Sequence, residues 1–272
     1  MKFTYLGTAA AEGFPAVFCN CKHCKEARRL GGKNIRTRSQ SLINDDLLID
    51  FPADTYGHFL ANGIEGDKIK YLLVTHSHPD HLYPAELEMR MGCFAHDMRA
   101  AKLQIYCSEG AFGAIKNKAL QNDGYELNLI KPFEKFAIEG YEIIPLPARH
   151  MEGDGAVFYV IKGDKTILYA HDTGYFFEEV FDFIKSEKLY FDFISLDCTN
   201  VDIPIPDSGT HMGLPNIDSL MKRLSELSAV DEKTVKYINH FSHNAEPLQH
   251  VLEEKVSKKG FKVSFDGESI EI

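Results

Sequence analysis

The chain has 272 residues, of which 44% are hydrophobic and 26% charged, so it can build a large core without disulfide bonds. Its 30 Lys and Arg residues against 40 Asp and Glu residues give a formal charge of −10. This charge argues against a protein that grips long nucleic acid with its whole surface, but allows a small anion site. The composition is not that of a disordered chain, and no run of about 18 apolar residues predicts a membrane span. The first residues, MKFTYLGTAAAEGF, lack the long apolar region of a signal peptide, so we expect a cytoplasmic protein.

Short apolar runs rich in β-branched and aromatic residues predict strands along most of the chain. They lie at residues 2–7, 41–51 (two strands around Asn44-Asp45-Asp46), 71–76, 103–107, 141–147, 156–161, 166–172, 191–197 and 235–240. The sequence KGDK (162–165) predicts a tight hairpin turn. Amphipathic spacing predicts helices at 175–188 and 216–227, and Pro247 opens a third. No repeat or long linker interrupts this order, so we expect one domain over residues 1–272, made of sheets flanked by helices.

The segment YLLVTHSHPDH runs from a buried strand directly into four side chains that can bind metal: His76, His78, Asp80 and His81. They cannot share one face of an extended strand. A turn after Thr75 directs the first two to one position and the last two to a neighbouring one. Imidazole and carboxylate groups suit zinc, manganese or iron, and this arrangement suits two ions side by side.

The HSHPDH segment resembles the HxHxDH motif of the metallo-β-lactamase superfamily. Further strand-end residues match the family's order of ligands: His150 after YEIIPLPAR, Asp172 in TILYAHDTG and His240 in VKYINHFSH. Asp50, in LLIDF, matches the early aspartate that supports the ligands from behind. The resemblance covers nearly the whole chain and implies an αββα sandwich, an α/β (α+β) fold of four layers.

The resemblance also implies a dinuclear centre that activates a hydroxide. One ion is expected on His76, His78 and His150. The other is expected on Asp80, His81 and His240, with Asp172 bridging the two. Paired ions about 3.5–4 Å apart stabilise both the attacking and the leaving oxygen of a phosphoryl group. Asp80 is also expected to orient the attacking water.

Three of the six cysteines, Cys19, Cys21 and Cys24, form a C-x-C-x2-C cluster in an N-terminal loop at residues 13–26. Three thiolates so close in sequence can hold one face of a zinc tetrahedron, and the fourth ligand must come from elsewhere. We favour His243, three residues after His240, over His23, which lies between two of the cysteines. The remaining cysteines, at 93, 107 and 198, are interpreted as small core residues.

The cysteine loop, the HxHxDH segment and the late NHFSH element together resemble the PhnP-type cyclic-phosphate phosphodiesterases and their PqqB-like relatives. This resemblance implies a structural zinc on the three cysteines and His243. It also offers His211, in DSGTHMGLPN, as a general acid that protonates the leaving group. The alternative for His211 is an exposed loop position. His171 is expected to be buried beside the site, and His23, His58, His96 and His250 to have no role in it.

The leading hypothesis is therefore a metal-dependent hydrolase, a phosphodiesterase acting on small, including cyclic, phosphodiesters. Its cofactors would be two zinc or manganese ions, or iron, and one structural zinc. Its partner would be a small phosphodiester, with no membrane and no nucleic acid beyond small nucleotides; a homodimer stays open. One alternative is a tRNA 3′-processing-type endonuclease, which AHDTG favours and the net charge opposes. Another is a PqqB-like protein that binds a ligand or carries a metal without hydrolysis.

Overall fold

The fold consists of two seven-stranded β-sheets with helices against their outer faces. The computed structural model describes residues 1–120 and 123–272. The strands are β1 (Lys2–Gly7), β2 (Gln40–Ile43), β3 (Leu47–Ile49), β4 (Tyr71–Val74), β5 (Leu103–Cys107), β6 (Tyr125–Leu129), β7 (Phe136–Ile138), β8 (Tyr141–Pro147), β9 (Val157–Lys162), β10 (Thr166–Ala170), β11 (Phe193–Asp197), β12 (Val235–Asn239), β13 (Lys262–Val263) and β14 (Ser269–Glu271). The helices are α1 (Lys22–Leu30), α2 (Thr55–Asn62), α3 (Glu109–Lys118), α4 (Glu178–Ser186), α5 (Leu214–Glu226) and α6 (Gln249–Val256).

Each sheet is half antiparallel and half parallel. The first has the order β14-β1-β2-β3-β4-β5-β6, and its strands β3 to β6 run parallel. The second has the order β13-β12-β11-β10-β9-β8-β7, and its strands β10 to β13 run parallel. Parallel strands end at the same edge of a sheet, so residues that follow them in sequence are brought together there.

The period-2 alternation of the strands divides the core into layers. On β4, Leu73 points into the layer between the sheets, whereas Leu72 and Val74 pack on the outer face with α3. On β8, Ile143 points between the sheets and Ile144 packs outward, into the layer that contains α4, α5 and α6. The order of layers is thus helix, sheet, sheet, helix, and the predicted αββα sandwich is confirmed.

All of the predicted strands, the 162–165 turn and the three predicted helices are present, with α4, α5 and α6 starting or ending a few residues from their predicted bounds. The sequence analysis missed α1, α2 and α3 and the strands β6, β7, β13 and β14. Its interpretation of Cys93 as a core residue is wrong: this side chain is exposed, in the irregular segment after the 3₁₀ turn Pro84–Arg90, whereas Cys107 and Cys198 are buried. Within the part of the chain that the structure describes, no helix is both long and apolar enough to cross a membrane.

Candidate metal centres

The strand-end residues of both sheets meet at one edge of the sandwich. Asp50 directly follows β3, and the loop at residues 76–81 follows β4. On the second sheet, His150 follows β8, Asp172 follows β10 and His240 follows β12. A sheet-to-sheet hydrogen bond from the Tyr159 hydroxyl to the Val74 carbonyl, 2.7 Å long, holds the two edges together just below this point.

The backbone at this edge is in an uncommon conformation. Asp50, Asp172 and His240 have φ values of 64°, 54° and 65°, the left-handed region that side chains other than glycine rarely adopt. Each of the three directly follows a strand or lies within two residues of its end. Such a turn redirects the side chain from the pleat of the sheet toward the edge, and the strain it stores is typical of functional sites.

The first cluster combines three imidazole nitrogens with one carboxylate oxygen. The Nδ1 atom of His78 lies 3.0 Å from Nε2 of His76 and 3.0 Å from Nε2 of His150. The Oδ2 atom of Asp172 lies 3.1 Å from Nε2 of His76 and 3.3 Å from Nε2 of His150. The four ligand atoms therefore surround one point.

The second cluster shares the same carboxylate oxygen. Nε2 of His81 lies 3.1 Å from Oδ2 of Asp172, 3.4 Å from Oδ2 of Asp80 and 3.4 Å from Nε2 of His240. All four residues are buried. Oδ2 of Asp172 is thus a corner of both clusters, which places them side by side as the sequence predicts.

These distances fit divalent ions. In a regular tetrahedron the centre lies at 0.61 times the edge, so edges of 3.0–3.3 Å place an ion about 1.8–2.0 Å from each atom of the first cluster, near the ~2.0–2.2 Å of zinc–nitrogen and zinc–oxygen bonds. The ligand atoms of the second cluster lie 3.1–3.9 Å apart, which fits a slightly larger ion or a less regular coordination geometry. The donor set of imidazoles and carboxylates suits zinc, manganese and iron alike.

The second ring nitrogen of most of these histidines is held by an oxygen atom. Nδ1 of His81 lies 2.7 Å from Oδ2 of the fully buried Asp50, the position that the family resemblance implies for that aspartate. Nδ1 of His240 lies 2.8 Å from the Thr199 hydroxyl, and that of His76 lies 3.0 Å from the Thr75 hydroxyl. When Nδ1 of a neutral ring donates this hydrogen bond, Nε2 carries no proton and is free to bind a metal ion, which is the usual outer arrangement of metal-binding histidines.

The charges of the metal-free clusters are strongly coupled. Burial lowers the pKa of His150 to about 4. Burial also opposes a charge on His81, but Asp50 and Asp80 outweigh it and raise its pKa well above the usual value. The pKa of Asp172 is lowered despite its burial, because His240 and His76 surround it. A divalent ion would replace the protons that these groups otherwise share.

His211 lies at the mouth of the two clusters, with about a quarter of its side chain exposed. Its ring lies against those of His150 and His240, with centroids 5.0 and 5.6 Å away. Its Nδ1 atom donates to Oδ2 of Asp197 at 3.1 Å, and Oδ1 of Asp172 is 3.0 Å away. Burial opposes its charge, yet Asp197 raises the pKa of His211 to about 9.

His171 is buried beside the site and does not reach it. Its Nε2 atom lies 2.6 Å from the Ser195 hydroxyl, and its Nδ1 accepts from the Asn239 amide at 3.1 Å. The ring packs on Tyr169, and burial lowers its pKa well below the usual value. His171 is thus a neutral core residue, as expected.

The predicted cysteine cluster also gathers at one point. Nδ1 of His243 lies 3.4 Å from Sγ of Cys19 and 3.7 Å from Sγ of Cys21, and Cys24 completes the group. Bonds of about 2.3 Å to sulfur and ~2.0–2.1 Å to nitrogen in a tetrahedral zinc site place these atoms about 3.5 Å apart.

Backbone amides approach the sulfur atoms of this cluster. The amide of Cys21 donates to Sγ of Cys19, that of Cys24 to Sγ of Cys21 and that of Ala16 to Sγ of Cys24, at 3.3–3.5 Å. Such donors stabilise thiolates, and contact with His243 lowers the pKa of Cys21 to about 6. The residues therefore fit a zinc ion, with His243 rather than His23 as the fourth member.

The sequence analysis missed Asp197, which organises the region around His211. It is fully buried and accepts hydrogen bonds from the backbone amides of Asp172 and Thr199, at 3.1 Å each, and from that of Met212 at 3.0 Å. Asp197 is the last residue of β11, within FISLD, and so lies at a strand end, as do the residues that the resemblance matched. That signal was available in the sequence.

Comparisons with known proteins identify the family and the fold of this chain. A family model described as a beta-lactamase superfamily domain matches residues 48–241, more than two thirds of the chain. A crystal structure of a diphosphatase from the PhnP family superposes with a TM-score of 0.72 at 23% identity, over 100% of this chain and 97% of that one. At this identity the superposition shows the metallo-β-lactamase fold alone.

Two curated sequences are also similar. Coenzyme PQQ synthesis protein B of Acinetobacter baumannii (strain ACICU) is 24% identical, over 100% of both chains. An octanoyltransferase of Porphyromonas gingivalis (strain ATCC BAA-308 / W83) is 26% identical in an alignment of 163 residues that covers 55% of this chain but only 31% of that protein. The chain thus spans about a third of the octanoyltransferase.

Proposed function

We propose that this member of the beta-lactamase superfamily is a metal-dependent hydrolase. Its substrates would be small phosphodiesters, cyclic ones included. The observation that carries the proposal is the shared corner of the two clusters. Oδ2 of Asp172 lies 3.1 Å from Nε2 of His76 on one side and 3.1 Å from Nε2 of His81 on the other. A site of this kind suits two divalent metal ions side by side.

Seven residues would hold the two ions. One ion would lie among the nitrogens of His76, His78 and His150; the other would lie among Asp80, His81 and His240, with Asp172 common to both. A pair of divalent ions, when bound, stabilises charge on phosphoryl oxygens and lowers the pKa of water from 15.7 toward about 7. Zinc and manganese are both compatible with these donors.

The residues of the chain would position these groups and move a proton. Asp197 fixes the Nδ1–H of His211 and directs Nε2 of the same ring away from the carboxylate. A protonated His211 with a raised pKa can give its Nε2 proton to a departing alkoxide. Asp80, held beside His81, would orient the attacking water. We propose His211 as the general acid on this basis.

The cysteine cluster would hold a structural zinc apart from the reaction. Its four members lie on the loop before α1, on α1 itself and on the segment that follows β12. His243 is three residues from His240, so a zinc ion there would anchor the segment that delivers a ligand to the second ion. The amide donors to the sulfur atoms support this assignment.

An assay with defined substrates tests the proposal. The purified protein would be loaded with zinc or manganese and offered bis(p-nitrophenyl) phosphate, 2′,3′-cyclic nucleotides and precursor tRNA. We expect hydrolysis of the first two and loss of activity in the His78→Ala variant. The matched control is His96→Ala, a histidine outside the clusters, which should keep wild-type activity. Activity that survives His78→Ala, or no turnover with either metal, would refute the proposal.

A second candidate rests on the full-length similarity to coenzyme PQQ synthesis protein B. In this case the chain would bind metal and a small ligand without hydrolysis. The same experiment separates the two candidates, because this one predicts metal binding that is lost in His78→Ala but no turnover of any phosphodiester. Cleavage of precursor tRNA alone would instead favour the endonuclease alternative.

A further inference from the structure

Asp154 is a buried acidic residue next to the first cluster, and it belongs to none of the candidate metal-binding groups among the described residues. Its side chain is buried although the residues on both sides of it, Gly153 and Gly155, are exposed. Both glycines have positive φ values, 82° and 67°, which turn the loop so that Asp154 points inward. The two glycines thus give the loop a conformation that buries one acidic group.

The carboxylate joins two loops that carry metal ligands. Oδ2 of Asp154 accepts the backbone amide of Ser77 at 3.2 Å, and Oδ1 accepts the Ser77 hydroxyl in a short hydrogen bond. Ser77 stands between His76 and His78, whereas Asp154 lies four residues after His150. The contact therefore links the two segments that supply the three nitrogens of the first cluster, one from each sheet.

Helix α3 holds the other side of the same carboxylate. The hydroxyl of Ser108, the residue before the helix, donates to Oδ2 of Asp154 at 3.3 Å. The backbone amide of Gly110 donates to the backbone carbonyl of Asp154 at 3.0 Å. A Cβ atom on Gly110 would lie 1.8 Å from Oδ1 of Asp154, so only glycine admits the carboxylate at this position. The N-terminus of the ten-residue helix also favours a negative charge.

We propose that Asp154 is a positioning residue that sets the distance between the His76/His78 pair and His150, and so the affinity for the first ion. The inference rests on the proposed function, because it needs an ion at that cluster. The geometry distinguishes it from a simple helix cap: two of the hydrogen bonds to the carboxylate come from Ser77, on the ligand loop, and one comes from Ser108.

The test compares variants on the two sides of the carboxylate. Cobalt(II) would be titrated into the metal-free full-length protein, with its absorption spectrum reporting each ion, and Tm would be measured without metal. We expect Asp154→Ala to weaken the first ion about 10- to 100-fold and the second less than about twofold, as for other residues that orient metal ligands. Asp154→Asn, which can still pair with Ser77, should recover much of this loss.

Controls separate positioning from stability. Ser108→Ala removes the helix-side partner and should lower Tm without changing either affinity. Ser77→Ala, which keeps the backbone contact, should weaken the first ion by less than Asp154→Ala does, and it carries the test if Asp154→Ala does not fold.

Equal affinity for the first ion in wild type, Asp154→Ala and Ser77→Ala would overturn the inference, as would an equal loss of both ions. A wild-type protein that binds no cobalt would instead overturn the proposed function itself.

Discussion

Asp50 offers the sharpest test of the outer contacts of the metal site. It is fully buried: Oδ1 accepts the amide and the hydroxyl of Thr75, each at 2.9 Å, and Oδ2 accepts Nδ1–H of His81 at 2.7 Å. In an Asp50→Asn variant Oδ1 can keep both bonds to Thr75. The amide nitrogen then faces Nδ1 of His81, and two N–H groups cannot point at each other.

The neutral His81 ring must therefore move its proton to Nε2, the atom that faces the second cluster. This removes the lone pair that a metal ion needs. A hydrogen bond to a charged group contributes about 1.5–3 kcal/mol, which corresponds to about 10- to 150-fold in Kd. We expect a loss of this size for the second ion and little change for the first. Asparagine tolerates the φ of 64° at position 50, so the backbone turn should persist.

The assay is a titration of the metal-free protein with cobalt(II) at constant pH, in which the two active-site ions are followed apart from the ion expected at the cysteine cluster. Asp45→Asn is the matched control, since Asp45 is exposed in the turn between β2 and β3, at the other end of the strand that leads to Asp50. Equal weakening of both ions would mean that the variant damages the fold rather than the histidine. Unchanged affinity for the second ion would refute the tautomer argument.

Burial lowers the pKa of His58 from 6.5 to about 4, so stability is complete above pH 6.5 and is lost as the unfolded chain binds the proton on the way to pH 4. Between pH 6.5 and pH 4 the free energy of unfolding, measured with urea, should therefore fall by about 3 kcal/mol less in His58→Gln than in wild type. An equal dependence of this free energy on pH in the two proteins would contradict the prediction. Cys21→Ser should lose one zinc equivalent of three by metal analysis, whereas Cys93→Ser should lose none; loss of all three would argue against separate sites. His211→Asn should slow phosphodiesters with alkoxide leaving groups by about 10²- to 10⁴-fold but p-nitrophenyl esters much less, because p-nitrophenolate leaves without a proton; an equal slowing of both would exclude the general acid.

The sequence determined the strands and the residues that end them. An apolar run that stops at His76, Asp172 or His240 can be recognised locally, because burial of the strand fixes its pattern over only a few residues. The resemblance of their order to the ligand order of the metallo-β-lactamase superfamily then predicts that these residues meet, and the parallel strands of the structure, which end at one edge, explain why they do. The C-x-C-x2-C spacing predicted the cysteine cluster, and the position of His243 three residues after His240 predicted its fourth member.

Local signals were weaker for the elements that the sequence analysis missed. Helix α3, EGAFGAIKNK, contains two glycines, which disfavour a helix, and it is stabilised by packing on the first sheet. Strands β7, β13 and β14 have only two or three residues each, too few for an alternating pattern. The exposure of Cys93 likewise depends on how its segment lies on the surface, which its apolar neighbours do not reveal.

Only the tertiary structure decided which side chains stand behind the site. Asp197 reaches His211 across 14 positions, and Asp154 reaches Ser77 across 77. Whether such a pair forms depends on the direction of each side chain and on the distance between two sheets to a fraction of an ångström. A hydrogen bond needs that accuracy, whereas hydrophobic burial does not depend on direction. A pattern of residue types therefore predicts which residues are buried, but not which polar groups form hydrogen bonds with each other.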